Sequence, residues 1–147
     1  MPDIEDLYTA IEADDVDGIE RLLTKRPGLV NSTEEAPPPI HWAIYRDKRG
    51  AVEALLNHGA DLALRDRDRD ATPLDYAVVY TRRELIPVLT SSGADLASGM
   101  RVALKGASGG FEEYAELPDR RQYEGIVELL GELGSQGSRS AGQVSPS

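Results

Sequence analysis

The stretch TPLDYA, residues 72–77, marks the start of a helix and decides the class of fold. Thr72 is one of the residue types whose side chain accepts a hydrogen bond from the first amides of a helix. Pro73 suits the first helical position, because an amide there has no partner within the helix. The stretch therefore predicts a helix that begins at Pro73.

The same pattern returns at a spacing of 34 residues. PIHWA (39–43) aligns with PLDYA (73–77), Leu55 aligns with Leu89, and GADL (59–62) aligns with GADL (93–96). An earlier copy lies 33 residues upstream, at 7–10 and 22–23, and a looser fourth copy has MRVA (100–103) and IVELL (126–130). Self-similarity at such a period indicates a repeat protein, in which each unit buries its apolar face against its neighbours.

Within each copy the apolar residues follow a helical period. In the second copy they fall at 40, 43 and 44, and again at 52, 55 and 56. Gly59 and Gly93 follow, where a left-handed residue is expected to end a helix. The sequence thus predicts an all-α solenoid of about four helix-turn-helix repeats, over residues 4–36, 37–70, 71–98 and 99–134.

This motif and spacing resemble the ankyrin repeat, whose pattern is Thr-Pro-Leu-His-x-Ala-Ala followed by Val-x-x-Leu-Leu-x-x-Gly-Ala-Asp. The resemblance covers about residues 4–134 and is most specific in the second and third copies. It implies an L-shaped stack with two antiparallel helices and a short β-hairpin finger in each repeat. It also implies non-catalytic binding of a protein partner through the concave groove and the fingers, and no cofactor.

Three residues depart from the pattern. Pro38 stands where Thr would cap the helix, and Asp75 replaces the motif His, which only His41 keeps. Pro87 falls inside the second helix of the third repeat. It is tolerated there if that helix starts near residue 83 or 84, because the first-turn amides lack acceptors within the helix.

The fourth repeat carries an insertion of 15 residues within 104–122, LKGASGGFEEYAELPDRRQ. Irregular loops of this length are often functional, so the insertion is interpreted as a flap over one end of the groove, with Phe111 as its anchor. The alternative is that it only seals the last repeat. Residues 135–147, SQGSRSAGQVSPS, are rich in Ser and Gly, and a disordered tail is predicted there.

Composition and charge narrow the class of partner. The chain has no cysteine and a net charge of −10, and eight acidic residues and no basic ones occur in residues 1–20. Repulsion of phosphates argues against nucleic acid, whereas a basic protein partner is allowed. There is no apolar run long enough for a membrane helix and no basic start typical of a secretion signal. The short chain and its lack of cysteine are typical of a cytoplasmic, bacterial protein, which is the expectation.

Candidate partner-binding residues lie at two places in the predicted stack. Tyr45 and Arg46, and Val79 and Tyr80, occupy matching positions at the end of the first helix in successive repeats, where the resemblance implies the concave groove. Tyr and Arg are frequent interface anchors. The finger between repeats two and three adds Arg67, Asp68 and Asp70, although its Arg-Asp alternation is also what a self-neutralised surface turn would have. All seven are predicted to contact the partner.

A small-molecule-binding or enzymatic protein is the alternative. Its site would lie in the groove under the flap. The residues expected to line it are Tyr45, Tyr80, Arg46, Asp75 and His41. A buried Asp75 could act there as an acid or base. A homo-oligomer using the same face is a third alternative. A metal site is not expected, since the two histidines, His41 and His58, fall on different helices with no acid at ligand spacing.

Overall fold

The structure, a computed structural model, describes residues 4–34 and 37–144, and the side chains as far as residue 135. In this part of the chain it contains α-helices, one short 3₁₀ helix over Pro27–Asn31, and no β-strand. The α-helices are α1 (Ile4–Glu12), α2 (Val16–Lys25), α3 (Pro39–Tyr45), α4 (Arg49–Asn57), α5 (Pro73–Val79), α6 (Leu85–Ser91), α7 (Leu96–Ala107) and α8 (Arg120–Val144). The all-α prediction is confirmed for these residues.

The start of α5 is as the sequence predicts. The Thr72 hydroxyl accepts a hydrogen bond from the Asp75 amide at 3.2 Å, and an Asp75 carboxylate oxygen accepts one from the Thr72 amide at 3.1 Å. Pro73 occupies the first helical position. This reciprocal pair satisfies two amides that the helix itself leaves without partners. Asp75 therefore takes part in the cap, in place of the motif His.

A left-handed residue ends the first helix of every repeat. These residues are Asp14 (φ 51°), Asp47 (φ 56°), Thr81 (φ 49°) and Gly109 (φ 86°). In each case the amide of the left-handed residue and the next amide bond back to carbonyls three and five residues earlier, at 2.7–3.1 Å. This arrangement satisfies carbonyls at the helix end and turns the chain toward the second helix. All four repeats thus share one turn.

The helices pack as successive pairs. α1 packs on α2, α3 on α4, α5 on α6 and α7 on α8, while the first helices α1, α3, α5 and α7 stack side by side. Ala43, Ala77 and Ala103 are fully buried at matching positions of α3, α5 and α7. A small side chain there lets adjacent helices approach closely, and each repeat buries apolar surface against the next.

The connector between α4 and α5 consists of turns, where the resemblance implies a β-hairpin finger. The Asp66 amide bonds to the Ala71 carbonyl at 2.9 Å, and the Asp70 amide bonds to the Asp66 carbonyl at 2.7 Å. The Asp66 carboxylate accepts a further bond from the Asp68 amide at 2.9 Å. Asp side chains commonly close turns in this way. Asp66 therefore closes these turns from both its backbone and its side chain, and the structure has no strand in this connector.

The third repeat accommodates Pro87 as predicted. Helix α6 begins at Leu85 after Glu84, so Pro87 lies in its first turn. The next helix, α7, begins at Leu96 after a short connector of residues 92–95, and Asp95 caps it by accepting a bond from the Ala97 amide at 3.0 Å. The fourth repeat therefore starts slightly before the predicted boundary at 99, and no finger separates it from the third.

The segment 104–122, where an insertion is predicted, covers the end of α7, the connector to α8 and the start of α8. Residues 108–119 form a series of turns, which we call the flap. Helix α8 then runs without interruption over Arg120–Val144 and so extends into the segment predicted to be a disordered tail. Residues 145–147 lie outside the described residues. The division into a domain over 1–134 and a tail over 135–147 stays a prediction.

Two glycines of α7 allow close packing. A Cβ atom on Gly99 would lie 2.8 Å from Leu74 of α5, and one on Gly106 would lie 2.3 Å from the ring of Tyr123. No carbon atom fits at such distances. The Gly-rich sequence at 106–110 therefore combines a close helix contact at Gly106 with a left-handed turn at Gly109.

Candidate functional site

Aromatic rings form a continuous row across the first three repeats. The ring centroids of Tyr8 and Trp42 are 6.3 Å apart, those of Trp42 and Tyr45 5.6 Å, and those of Tyr45 and Tyr80 4.9 Å. Tyr76 continues the row at 5.8 Å from Tyr80. These tilted and edge-on contacts lie within the range in which aromatic pairs attract one another. We call Tyr8, Trp42, Tyr45, Tyr80 and Tyr76 the aromatic row.

The helix ends hold the centre of the row in place. Tyr45 is the last residue of α3, and Tyr80 follows the last residue of α5. The Arg82 guanidinium donates a hydrogen bond to the Ile44 carbonyl at 3.2 Å and another to the Tyr45 carbonyl. A cation bonded to the last carbonyls of a helix stabilises that end. Arg82 therefore links the turn after α5 to the end of α3.

A cavity of about 640 Å³ lies at one end of the aromatic row, between the row and the flap. Its lining comes from α3, α5, the connector before α5, α7 and the flap: Tyr45, Arg69, Asp70, Ala71, Asp75, Tyr76, Val79, Tyr80, Val102, Lys105, Phe111, Tyr114, Glu116 and Leu117. We call it the flap pocket. Its volume is in the range of small-molecule sites, and its walls are largely aromatic and aliphatic.

Four of the seven residues predicted to bind a partner line this pocket: Tyr45, Asp70, Val79 and Tyr80. Tyr45 is 38 % exposed. Tyr45, Val79 and Tyr80, which are predicted to lie at the groove, thus line one pocket, and Asp70 joins them from the connector before α5.

The other three lie outside the pocket. Arg46 forms an ion pair with Glu12 at 3.1 Å, and its guanidinium carbon lies 5.8 Å from the centre of the Trp42 ring. It therefore belongs to the edge of the aromatic row. Arg67 and Asp68 are exposed in the connector between α4 and α5.

The Arg-Asp run at 65–70 is not exposed along its whole length. Arg65 pairs with Asp70 at 3.9 Å, as a self-neutralised turn would. Asp66, however, is only 2 % exposed, and its carboxylate accepts a hydrogen bond from the Tyr76 hydroxyl. Burial, together with this bond, raises the pKa of Tyr76 far above its ordinary value. The sequence offered no sign that one Asp of three equivalent ones would be buried.

Asp75 and His41 have structural partners. One Asp75 oxygen takes part in the cap of α5, and the other accepts a bond from the Ser98 hydroxyl at 2.6 Å. His41 Nε2 bonds to the Ala71 carbonyl at 2.8 Å, and burial lowers the pKa of this imidazole. His41 does not line the pocket. Asp75 does line the pocket, and both of its carboxylate oxygens accept hydrogen bonds from within the protein.

His58 follows the last residue of α4, whereas His41 lies within α3. Among the residues that the structure describes, no group of three or more His, Cys, Asp or Glu side chains could hold a metal ion.

Several pocket residues were not singled out from the sequence as partner-binding residues. Arg69 is one of three alternating arginines that the sequence does not distinguish. Lys105 and Val102 face the pocket from α7, where their spacing of three residues places them on one face. Lys105 could have been found from that spacing, but only if the position of the flap were already known.

The repeated turns and helix pairs agree with the comparison to protein families. A family model described as ankyrin repeats, three copies, matches residues 7–99, more than half of the chain. The chain belongs to the ankyrin repeat family. Ankyrin repeats are generally protein-protein interaction modules, the family is generally non-enzymatic, and a protein partner is the expectation for this chain.

The comparison with curated proteins gave no match. No helix within 4–34 and 37–144 combines the length and the apolar character needed to cross a bilayer.

Proposed function

We propose that this ankyrin repeat chain is a non-catalytic binding module whose protein partner lies along the aromatic row and the connector before α5. The observation that carries the proposal is the contact between Tyr45 and Tyr80, whose ring centroids are 4.9 Å apart although the residues belong to different repeats. Tyrosines on a protein surface are strong interface anchors, because they bury a large area at a small cost in side-chain entropy. A partner that spans two repeats would bury both rings.

The row is well suited to binding because its members are already ordered by other contacts. Arg82 fixes the end of α3, and the ion pair of Arg46 with Glu12 joins the first two repeats at the edge of the row. A surface that is ordered before binding loses less entropy on association. This supports a recognition surface that keeps its shape when the partner arrives.

Charge favours a partner with basic residues outside the row. The chain carries a net charge of −10, and the N-terminal repeat holds most of the local excess. Complementary charge mainly accelerates encounter and selects among partners. The exposed Arg67 and Asp68 and the pocket residue Asp70 would then contact the partner from the connector, and their mixed signs would contribute to specificity.

A pull-down from native host lysate tests this proposal. The wild-type chain is compared with a Tyr45→Ala/Tyr80→Ala double variant and with a Leu104→Ala control, since Leu104 is 49 % exposed but does not line the pocket. A partner captured by the wild type and the control, but not by the double variant, supports the proposal. Equal capture by all three contradicts it. Self-association through the same face is the remaining alternative to a protein partner. Analytical ultracentrifugation of the purified chain tests it by measuring the mass of the species in solution.

The flap pocket favours a second candidate function, the binding of a small molecule. Its volume of about 640 Å³ would accommodate one, and Phe111, Tyr114 and Leu117 of the flap cover it from one side. A small molecule that copurifies with the chain, detected by native mass spectrometry and lost on mutation of the flap, would support it. Because both oxygens of Asp75 accept hydrogen bonds within the protein, we propose binding rather than catalysis.

A further inference from the structure

Two cationic side chains at the flap pocket have no anionic partner among the described residues. Arg69 lines the pocket, and no hydrogen bond or ion pair within 4–34 and 37–135 reaches its guanidinium. Its charge acts on Tyr80, since burial raises the pKa of this tyrosine and the nearby Arg69 opposes the change. The ammonium group of Lys105 lies 5.0 Å from the centre of the Phe111 ring. The N–H groups of both side chains are thus available to a ligand.

Most acidic groups around the pocket are already engaged. Both oxygens of Asp75 accept hydrogen bonds, from the Thr72 amide and the Ser98 hydroxyl. Asp70 pairs with Arg65 at 3.9 Å. Glu116 is the exception, because it is exposed at the pocket and has no ion pair in the part of the chain that the structure describes. The lining thus holds two cations, Arg69 and Lys105, and three carboxylates, of which Glu116 alone has no hydrogen bond or ion pair within the residues that the structure describes.

The pocket walls are suited to a flat apolar group. Tyr45 and Tyr80 meet edge-on along one wall, and Phe111 and Tyr114 of the flap line the other. Aromatic rings pack well on other aromatic rings. They also attract organic cations, but the face of Phe111 is already approached by Lys105, and Arg69 and Lys105 would repel a second positive charge.

We propose that the flap pocket binds a small aromatic carboxylate, with its ring between Tyr45, Tyr80 and Phe111 and its negative charge between Arg69 and Lys105. Hydrogen bonds between a cationic donor and a carboxylate are among the stronger ones in proteins, and a guanidinium can donate two in parallel. This inference rests on the second candidate function and adds the chemical class of the ligand.

Calorimetric titration with three probes of similar size tests the proposal. Phenylacetate is the anion, phenylacetamide its neutral analogue, and benzyltrimethylammonium the cation. We expect phenylacetate to bind about tenfold more tightly than phenylacetamide, and its affinity to fall with rising salt. Binding of the cation should be the weakest of the three.

Matched variants identify the groups that contact the charge. Arg69→Gln should lower the affinity for phenylacetate about tenfold, whereas Arg101→Gln, exposed on α7 but outside the pocket, should leave it unchanged. Arg101→Gln is also the matched control for Lys105→Gln on α7. Arg69→Lys keeps the charge and should retain part of the affinity, which separates loss of charge from loss of structure.

Two results would overturn the inference, and they differ in what else they affect. If phenylacetamide or benzyltrimethylammonium binds as tightly as phenylacetate, the pocket remains a ligand site but the anionic class is wrong. If none of the three binds at millimolar concentration, the inference and the small-molecule function both fail. The protein-partner proposal is tested separately by the pull-down.

Discussion

Tyr123 of α8 packs directly on Gly106 of α7, so that a Cβ atom on Gly106 would lie 2.3 Å from its ring. The Tyr123 hydroxyl also donates a hydrogen bond to the Val79 carbonyl at 2.6 Å, and its ring lies 5.4 Å from that of Phe111. One side chain therefore joins the fourth repeat to the end of α5 and to the flap. Because the flap connects α7 with α8, this contact determines where it lies over the pocket.

Adding a methyl group at Gly106 should disrupt this contact. Overpacking a dense interior usually costs about 1–3 kcal/mol, so Gly106→Ala should lower the free energy of unfolding by about 2 kcal/mol. Gly131→Ala is the matched control on α8, since no heavy atom lies within 4 Å of the added Cβ. Because alanine is favoured over glycine in a helix, Gly131→Ala should raise the free energy of unfolding by several tenths of a kcal/mol. Urea unfolding measures both, and equal effects would contradict the packing described.

The ionisation of Tyr123 should make stability depend on pH in alkaline solution. Burial raises the pKa of Tyr123 from 10.0 to about 12. The unfolded chain then loses this proton first, so stability is fully present below pH 10 and falls as the pH rises toward 12. Tyr123→Phe should unfold with a smaller loss of stability over that window. The same slope in both proteins would contradict the shift.

Thr81 should be a stabilising site for glycine. It holds a left-handed backbone, with a φ of 49°, at the turn where Gly109 serves in the fourth repeat. A β-branched residue is unfavourable in this region, by roughly 1–2 kcal/mol. Thr81→Gly should therefore raise the free energy of unfolding by about 1 kcal/mol, measured by urea unfolding. Thr9→Gly, within α1, is the control and should lower the free energy of unfolding. If both variants lose stability alike, the backbone of Thr81 is not strained.

Ala77 should not tolerate a larger side chain. It is fully buried where α5 packs between its neighbours, so Ala77→Leu should lower the free energy of unfolding by roughly 1–3 kcal/mol. The exposed Ala63 provides a control, and Ala63→Leu should change stability by less than about 0.5 kcal/mol. Thermal melting compares them. A Leu variant at 77 that melts like the parent would place Ala77 outside the packed stack.

Local chemistry explains why much of the fold could be predicted. The capping of α5 by Thr72, the place of Pro73 and the left-handed Gly59 and Gly93 all follow from the properties of those residues in their immediate surroundings. Pro87 was placed correctly for the same reason, because the lack of an amide hydrogen favours the first turn of a helix for proline.

Features that depend on distant neighbours were harder to predict. The hairpin finger before α5 was implied by family resemblance, but Asp66 closes the connector into turns and accepts a hydrogen bond from the Tyr76 hydroxyl. Arg69 and Lys105 became pocket residues only once the flap lay over α5 and α7. Sequence spacing defines one face of a helix, but it does not show which other segment covers that face.

Site-specific photo-crosslinking tests the central claim, that the partner lies along the aromatic row. A photo-reactive side chain is placed at position 46, at the edge of the row, or at position 104, which is exposed but away from it. Irradiation in native host lysate should give a covalent adduct of one protein from position 46 and none from position 104. An adduct of that protein from position 104, with none from position 46, would place the partner on another face and contradict the account.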